Sequence, residues 1–318
     1  MQLFLILLGA ALGLTYGQYN YGFIFSQKIC LFAGITLIMP TLFSVQLSDI
    51  KLVLHHKFVL FKGFVVNYIL LPLVALGIGL STDNFGIAAG LFLLSVLSGG
   101  GMIMHWIKKS GADTSFGFIL LFTNLLFISV SLLMLHIFGI YTSEYFGESY
   151  LDGANISNFA QTVIILLVVV PFILSRFIIL IKPLKEFITA KRSFISKASI
   201  FLIVFYLFAL QNSQQLFEVY DFEPELIYVS IISVVGFYSA IFILAKLTYN
   251  LVSAQERAAF WHTVTRYITL ALVISTFSTT TFGVSMLLPI MIAYMVQIPF
   301  AINIAKYVFK EDKKEKEV

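Results

Sequence analysis

Residues 97–113 of the chain read LSGGGMIMHWIKKSGAD. Three consecutive glycines, Gly99 to Gly101, interrupt an apolar run that otherwise has the composition of a helix. Glycine weakens a helix, and because it has no side chain it lets a second backbone or a ligand approach closely. The stretch therefore predicts a helix that is broken at residues 98–101.

The composition of the whole chain indicates the surroundings of this broken helix. Of the 318 residues, 59% are hydrophobic and 11% are charged, and the mean hydropathy is +0.97. A soluble domain is about 45–50% apolar and about 25% charged, so we predict an all-α polytopic membrane protein in a lipid bilayer. The basic residues lie in short loops between apolar runs, which argues against a nucleic-acid partner. With Cys30 as the single cysteine, we expect no disulfide framework, no cofactor and no bound metal.

Ten apolar segments approach the length of about 20 residues that a membrane-spanning helix needs. Numbered in chain order as spans 1 to 10, they lie at 1–17, 29–47, 58–80, 85–109, 114–140, 158–181, 196–213, 226–250, 258–279 and 282–308. Span 1 lacks a basic flank and a small-residue cleavage site, so we expect a retained helix and not a removed signal peptide.

The charged residues between the spans predict their orientation. Lysine and arginine concentrate on one side, for example at 182–197 and in the tail 309–318, whereas acids concentrate on the other, at 144–152 and 218–225. Because basic loops stay in the cytoplasm, we predict a multi-pass protein of the cell (inner) membrane. Its N- and C-termini, including the charged tail, would be cytoplasmic.

The chain divides into two halves of five spans, residues 1–140 and 158–308, joined by an external linker at 141–157. Five is an odd number, so the halves must have opposite orientations, which is the inverted-repeat pattern of secondary transporters. Span 9 carries several polar residues where the membrane interior is expected, and it is the fourth span of its half, as span 4 is. We therefore predict two inverted five-helix repeats whose broken fourth helices cross, with the breaks near 98–101 and 263–269.

An unwound stretch inside the bilayer is tolerated only where it lines a protein-enclosed or water-filled cavity. We therefore expect the glycine break to present its backbone to a substrate; the alternative is a small-residue patch for helix packing. Asn67 and Asn124 fit an interhelical hydrogen bond as well as a substrate contact. The candidate substrate-binding residues are Ser98, Gly99, Gly100, Gly101, Thr265, Thr269, Arg266, Asn67 and Asn124.

Arg266 is the most unusual of these residues, because an arginine inside a membrane costs about 2.5–3.5 kcal/mol on insertion scales. Its planar fork suits the carboxylate of an anionic substrate. The alternative is a side chain that extends to the cytoplasmic face. Three other polar residues have simpler interpretations: Asp113 is predicted to cap the helix of span 5, and His105 and His262 have no partner at metal-binding spacing.

Several stretches resemble the bile acid:sodium symporter superfamily, which includes the arsenical-resistance carriers. MPTLFSVQLSDIKLVLHHKFVLFKGFVVNYILLPLVALGIGL (39–80) resembles its second and third helices, and GMIMHWIKKSGADTSFGFILLFTNLL (101–126) resembles the fourth and fifth helices of the arsenical branch. Residues 265–277 and 294–310 are similar to the ninth and tenth helices. The resemblance implies a panel domain of spans 1, 2, 6 and 7 and a core domain of the remaining spans. Substrate would bind between the two domains, which move against each other.

The resemblance also implies where the family holds sodium. Those positions correspond here to Ile103, Met104, Gly117, Leu121 and Thr269. Four of these five have no side-chain oxygen, although a hard cation needs oxygen ligands, while Asn67 keeps one polar position of the second sodium site. Gly99 stands where the arsenical branch has a cysteine, which argues against thiolate chemistry. Arg266, typically an asparagine in that branch, could alternatively place its fixed charge where the family places the charge of sodium.

These observations predict a secondary transporter that moves a small organic anion by alternating access, with sodium coupling doubtful. The alternative is a non-transporting membrane sensor or scaffold that retains the transporter fold. We do not expect an enzyme, because no span contains a Ser/Lys pair, paired aspartates or a His-x-x-x-His arrangement, and we therefore assign no catalytic residue.

Overall fold

The computed structural model of the protein describes residues 2–19, 56–100, 103–148, 150, 165, 170–213 and 224–309. Every regular element within these ranges is a helix, which confirms the all-helical prediction for this part of the chain. The helices are α1 (Gln2–Tyr19), α2 (Lys57–Leu80), α3 (Phe85–Val96), α4 (Ile103–Lys109), α5 (Thr114–Leu126), α6 (Ile128–Thr142), α7 (Val170–Leu180), α8 (Lys182–Ser213), α9 (Pro224–Thr248), α10 (Ala254–Val264), α11 (Ile268–Phe282) and α12 (Leu287–Tyr307).

Three helical stretches of the described residues are long and apolar enough to cross a membrane unaided. They are α2, α9 and the stretch Val284–Tyr307, in which a short 3₁₀ turn precedes α12. They correspond to predicted spans 3, 8 and 10. The pair α5 and α6 forms a fourth candidate, bent by 47°. Span 2 lies outside the described residues, and so do residues 158–164 and 166–169 of span 6.

Two predicted spans differ from the helices observed. Span 7 was expected to begin at residue 196, but α8 already begins at Lys182. Lysine, arginine and glutamate are good helix formers, so the charged segment before the span continues the helix. Span 5 was expected to be one continuous helix but bends at Phe127, where the Ser131 hydroxyl donates a hydrogen bond to the Phe127 carbonyl oxygen. Asp113 caps α5 as predicted, because its carboxylate accepts a hydrogen bond from the Phe116 N–H.

The predicted breaks in spans 4 and 9 are both present. Span 4 is divided into α3 and α4, and span 9 is divided into α10 and α11 by residues 265–267. The second break is shorter than expected from the polar residues of the span, because Thr263 remains in α10 and Thr269 in α11.

The described helices pack in two groups. Helix α1 lies along α8, and these helices correspond to spans 1 and 7. Helices α2 to α6 and α9 to α12 pack around the two breaks, where the side chains of Trp261, Arg266, Tyr238 and Phe237 are fully buried. The two breaks therefore lie within the best-packed part of the described structure.

Candidate functional site at the crossing of two broken helices

The two breaks lie directly against each other. Ser98 and Arg266 form an isolated antiparallel backbone bridge. The Gly99 N–H donates to the carbonyl oxygens of both His262 (3.0 Å) and Thr265 (2.9 Å), and the Tyr267 N–H donates to the Leu97 carbonyl oxygen (2.9 Å). Backbone groups freed by one break are thus satisfied by the other, as membrane burial requires. We call the residues 97–100 and 265–267 the crossing.

Two glycines make this approach possible. Gly99 has φ +74°, a left-handed conformation that favours glycine, and a Cβ there would lie 2.8 Å from His262 Nδ1. A Cβ on Gly100 would lie 3.1 Å from the Arg266 carbonyl oxygen. Both glycines therefore face parts of the second broken helix. Gly101, the third of the predicted triplet, lies outside the described residues.

Arg266 is buried, with 1% of its surface exposed, and its guanidinium is held by oxygen acceptors. Nε donates to the Leu94 carbonyl oxygen (2.8 Å), and Nη2 donates to that of Ser95. Nη1 donates to Asn67 Oδ1 (2.6 Å) and to the Thr263 carbonyl oxygen (3.1 Å). The side chain thus lies at the crossing and does not extend to the cytoplasmic face.

Gln297 of α12 supports the same break from the opposite side. Its Oε1 accepts hydrogen bonds from the Arg266 N–H (2.6 Å) and the Tyr238 hydroxyl (2.8 Å), and its Nε2 donates to the Arg266 carbonyl oxygen (3.2 Å). The role of Gln297 at the crossing depends on a contact between residues 31 positions apart, for which the sequence contains no local signal.

Asn67 connects α2 to the crossing. Asn67 lies in a π-helical turn, Val66–Leu70, which is followed by Leu71 and Pro72. Proline has no N–H to donate to the preceding turn, and single π turns of this kind are frequent at functional sites. Its Nδ2 donates to the carbonyl oxygen of Gly63 (2.9 Å) and to Thr263 Oγ1 (3.1 Å) while its Oδ1 accepts from Arg266. Every hydrogen-bonding atom of the amide group therefore has a partner.

A cavity of about 290 Å³ lies between α2, α5 and α10, directly beside the crossing. Its surface is mainly apolar, with five leucine and phenylalanine side chains, and also carries the polar groups of Asn67, Tyr68, Thr123, Asn124 and His262. A mainly apolar hollow with a few convergent polar groups is the usual form of a small-molecule site.

His262 is the cavity residue that sequence reasoning left without a role. Its Nε2 donates to the Gly117 carbonyl oxygen (2.9 Å), and its Nδ1 accepts from Asn124 Nδ2 (3.1 Å). Because an amide NH₂ can only donate, this arrangement assigns a neutral ring with its proton on Nε2. Since Gly99 contacts the same ring, His262 joins the crossing to the cavity.

The predicted site residues thus divide between the crossing and the cavity. Asn67 and Asn124 line the cavity. Thr269 is buried in the first turn of α11, and Thr265 Oγ1 donates to the Trp261 carbonyl oxygen (2.6 Å). The Ser98 hydroxyl is buried and has no hydrogen-bond partner among the described residues.

A comparison with family models relates the chain to known proteins. The model described as Sodium Bile acid symporter family matches residues 30–218, more than half of the chain. The matched range contains the first break, Asn67 and Asn124, whereas Arg266 and His262 lie beyond it. No curated protein matches the chain.

Proposed function

The chain belongs to the sodium bile acid symporter family, and we propose that it is a secondary transporter that carries a small organic anion by alternating access. The family consists of membrane transporters, in agreement with the apolar helices of the described residues. The observation that supports a substrate site is the cavity beside the crossing. Its described lining belongs to spans 3, 5 and 9 of the proposed core domain, and movement of a panel domain against that core would change the access to it.

The shape of the cavity fits a small organic substrate. Its volume of about 290 Å³ lies close to the lower end of the volumes, about 300–1,000 Å³, that ligand pockets commonly have. The apolar walls would contact the carbon skeleton. The hydroxyl of Thr123 and the groups around Asn124 would meet its polar end.

The charge at the crossing supports an anion. The guanidinium of Arg266 lies one hydrogen bond behind the cavity wall, because Asn67 both accepts from it and lines the cavity. No carboxylate among the described residues lies within ion-pair distance of Arg266. In surroundings of low dielectric, a positive charge without an acidic partner acts over several ångströms. Its field would favour a negatively charged substrate even though its N–H groups are engaged with protein oxygens.

The wider arrangement belongs to the same proposal. Ten spans in two inverted repeats, cytoplasmic termini, and a panel domain moving against a core domain would give alternating access. We further propose that transport does not use sodium, since Ile103, Met104, Gly117 and Leu121 provide no side-chain oxygen at the positions where the family holds that ion.

Two glycines of α2 give a matched test of the cavity. Gly63 lines the cavity, and a Cβ there would have a single near neighbour, the Tyr249 hydroxyl at 3.7 Å. Gly77 lies on the exposed surface of the same helix, and a Cβ there would meet nothing within 4 Å. Gly63→Phe should therefore fill the cavity and abolish transport of labelled organic anions into vesicles, while Gly77→Phe should retain it.

Both variants should insert and melt like the wild type, because neither position is crowded. Equal transport by Gly63→Phe and Gly77→Phe would show that the cavity is not on the substrate path. Binding of a labelled anion without any transport by the wild type would support the alternative, a sensor or scaffold with the transporter fold.

A further inference from the structure

Four neutral oxygen atoms surround one positive charge at the crossing. They are the carbonyl oxygens of Leu94, Ser95 and Thr263 and the amide oxygen of Asn67, and all four accept hydrogen bonds from the Arg266 guanidinium. Backbone carbonyl and amide oxygens held around a buried point are also the groups by which proteins coordinate hard metal cations. The arrangement therefore has the form of a cation site whose occupant is an arginine side chain.

The origin of these oxygens explains why a positive charge is needed there. The last four carbonyl groups of a helix have no partner within that helix, and its C-terminal end carries a partial negative charge. Leu94 and Ser95 belong to the last turn of α3, and Thr263 belongs to the last turn of α10. Two helix C-termini therefore converge in the interior of the protein, where water is not available to satisfy them.

No carboxylate among the described residues compensates the guanidinium. The acidic residue nearest to it along α10, Glu256, pairs instead with Lys62 at 3.0 Å. An isolated buried charge is very unfavourable, so the stabilisation of Arg266 must come from the carbonyl dipoles. The buried guanidinium and the carbonyl groups at the two helix ends thus stabilise each other.

We infer that Arg266 is a tethered cation, whose guanidinium fills a cation seat between the C-terminal ends of α3 and α10. The crossing is then assembled permanently and takes no cation from solution. This inference deepens the proposed function, because it gives a physical reason for transport without sodium. Its test measures folding, so that its failure is distinguishable from a failure to transport.

The test removes the tethered charge and offers a free one. Arg266→Ala should lower the melting temperature of the full-length protein in detergent. Guanidinium chloride at millimolar concentration should raise it again, because an ion that binds only the folded state stabilises it in proportion to the logarithm of its concentration. The two tryptophans of the chain, Trp106 and Trp261, stack with their ring centroids 5.6 Å apart on α4 and α10. Their fluorescence therefore reports on the two broken helices.

Arg257→Ala is the matched control. Arg257 lies on α10, one of the two helices whose C-terminal ends form the seat, and its Nη1 donates to the Ser110 carbonyl oxygen (3.2 Å) outside the cation seat. Guanidinium should not raise the melting temperature of this variant. Arg266→Lys should melt below the wild type, because an ammonium group cannot reach the four acceptors in the geometry of the guanidinium fork. It should also not respond to guanidinium, because its own charge occupies the seat.

The melting temperature of the wild type should be the same in sodium chloride and in choline chloride. A selective response of Arg266→Ala to guanidinium supports the inference, whether or not sodium has the same effect. If folded Arg266→Ala protein can be purified only when guanidinium is present, the free ion again stabilises the folded state, and this result also supports the inference. The inference is overturned if Arg266→Ala gains no stability, and no recovery, from guanidinium beyond that of Arg257→Ala.

Discussion

Gly99 shows how much of the crossing depends on a single residue. Its N–H is shared by the carbonyl oxygens of His262 and Thr265, its φ is +74°, and the ring of His262 occupies the space that a side chain would need. Conformation and close approach are separate requirements. Gly111 also has a left-handed conformation, but no atom lies within 4 Å of the Cβ that a side chain would add there.

Substitution by alanine separates the two requirements. Gly111 has φ +66° and no atom within 4 Å of an added Cβ. Gly111→Ala should therefore lower the stability only by the strain of an alanine in the left-handed conformation, about 1–2 kcal/mol. Gly99→Ala adds a contact of 2.8 Å with His262 Nδ1 and should therefore melt at a clearly lower temperature than Gly111→Ala. Thermal unfolding followed by tryptophan fluorescence measures both variants. Equal melting temperatures would mean that the His262 ring moves aside without cost.

At this scale the sequence predicts where the chain breaks but not what the break contacts. Three glycines in an apolar run indicate an interruption whatever the fold, because glycine acts on its own helix. The partners of Arg266 were not predictable in the same way. Two of them are carbonyl oxygens of Leu94 and Ser95, and every residue has a carbonyl group, so no residue type marks them.

Among the helices, α12 is the element that fixes the second break. Gln297 accepts a hydrogen bond from the Arg266 N–H and donates one to the Arg266 carbonyl oxygen. One side chain therefore replaces the helical partners that the break removes. The same Oε1 holds the Tyr238 hydroxyl of α9. The break between α10 and α11 is thereby joined to α9 and α12 at one amide group.

Gln297→Leu should therefore destabilise the protein although it makes the helix more apolar. It removes three hydrogen bonds and leaves the Arg266 N–H and the Tyr238 hydroxyl without their partner, whereas the Arg266 carbonyl oxygen keeps the Ile268 N–H. Since each net hydrogen bond is worth about 0.5–1.5 kcal/mol, we expect a loss of about 2–4 kcal/mol. Gln297→Glu should lose less, because a carboxylate still accepts from the Arg266 N–H and the Tyr238 hydroxyl. Thermal unfolding measures the difference.

Gln255→Leu is the control for that substitution. Gln255 lies near the start of α10, where its Nε2 donates to Asp113 Oδ2 at 3.2 Å in a half-buried position. Water can replace this partner, so the control should melt close to the wild type. A melting temperature of Gln297→Leu as high as that of Gln255→Leu would contradict a supporting role for α12 at the break.

The elements themselves were predictable to different degrees. Apolar length identified α2, α9 and α12, because the bilayer sets that length. Two boundaries failed for physical reasons: charged residues extend α8 beyond the apolar run, and a serine hydroxyl at Ser131 accompanies the bend between α5 and α6. Hydropathy, which was the basis of the prediction, contains neither the helix propensity of charged residues nor the hydrogen bond of a side chain.

For the whole molecule, the central question is which energy source transport would use. The family match extends over residues 30–218 and confirms the resemblance that the sequence indicated. Coupling would depend on single positions, however, and the resemblance implies that these depart from the family. Ile103, Met104 and Leu121 are buried among apolar side chains, so a hard cation would find no side-chain oxygen there. A secondary transporter without this ion would have to use a proton gradient or the substrate gradient itself.

We therefore expect uptake of an organic anion into vesicles to proceed at the same rate when choline replaces sodium on both sides. The physical reason is that no sodium needs to bind before the loaded protein changes its access. Gly63→Phe vesicles in the same two buffers provide the background, since that variant should not transport in either. Uptake that stops when choline replaces sodium, while wild-type protein remains folded in both buffers, would show that this chain forms a sodium site from other atoms. A rate that is equal in both buffers but follows an imposed pH gradient would assign the coupling to protons, and one that follows neither gradient would indicate facilitated diffusion.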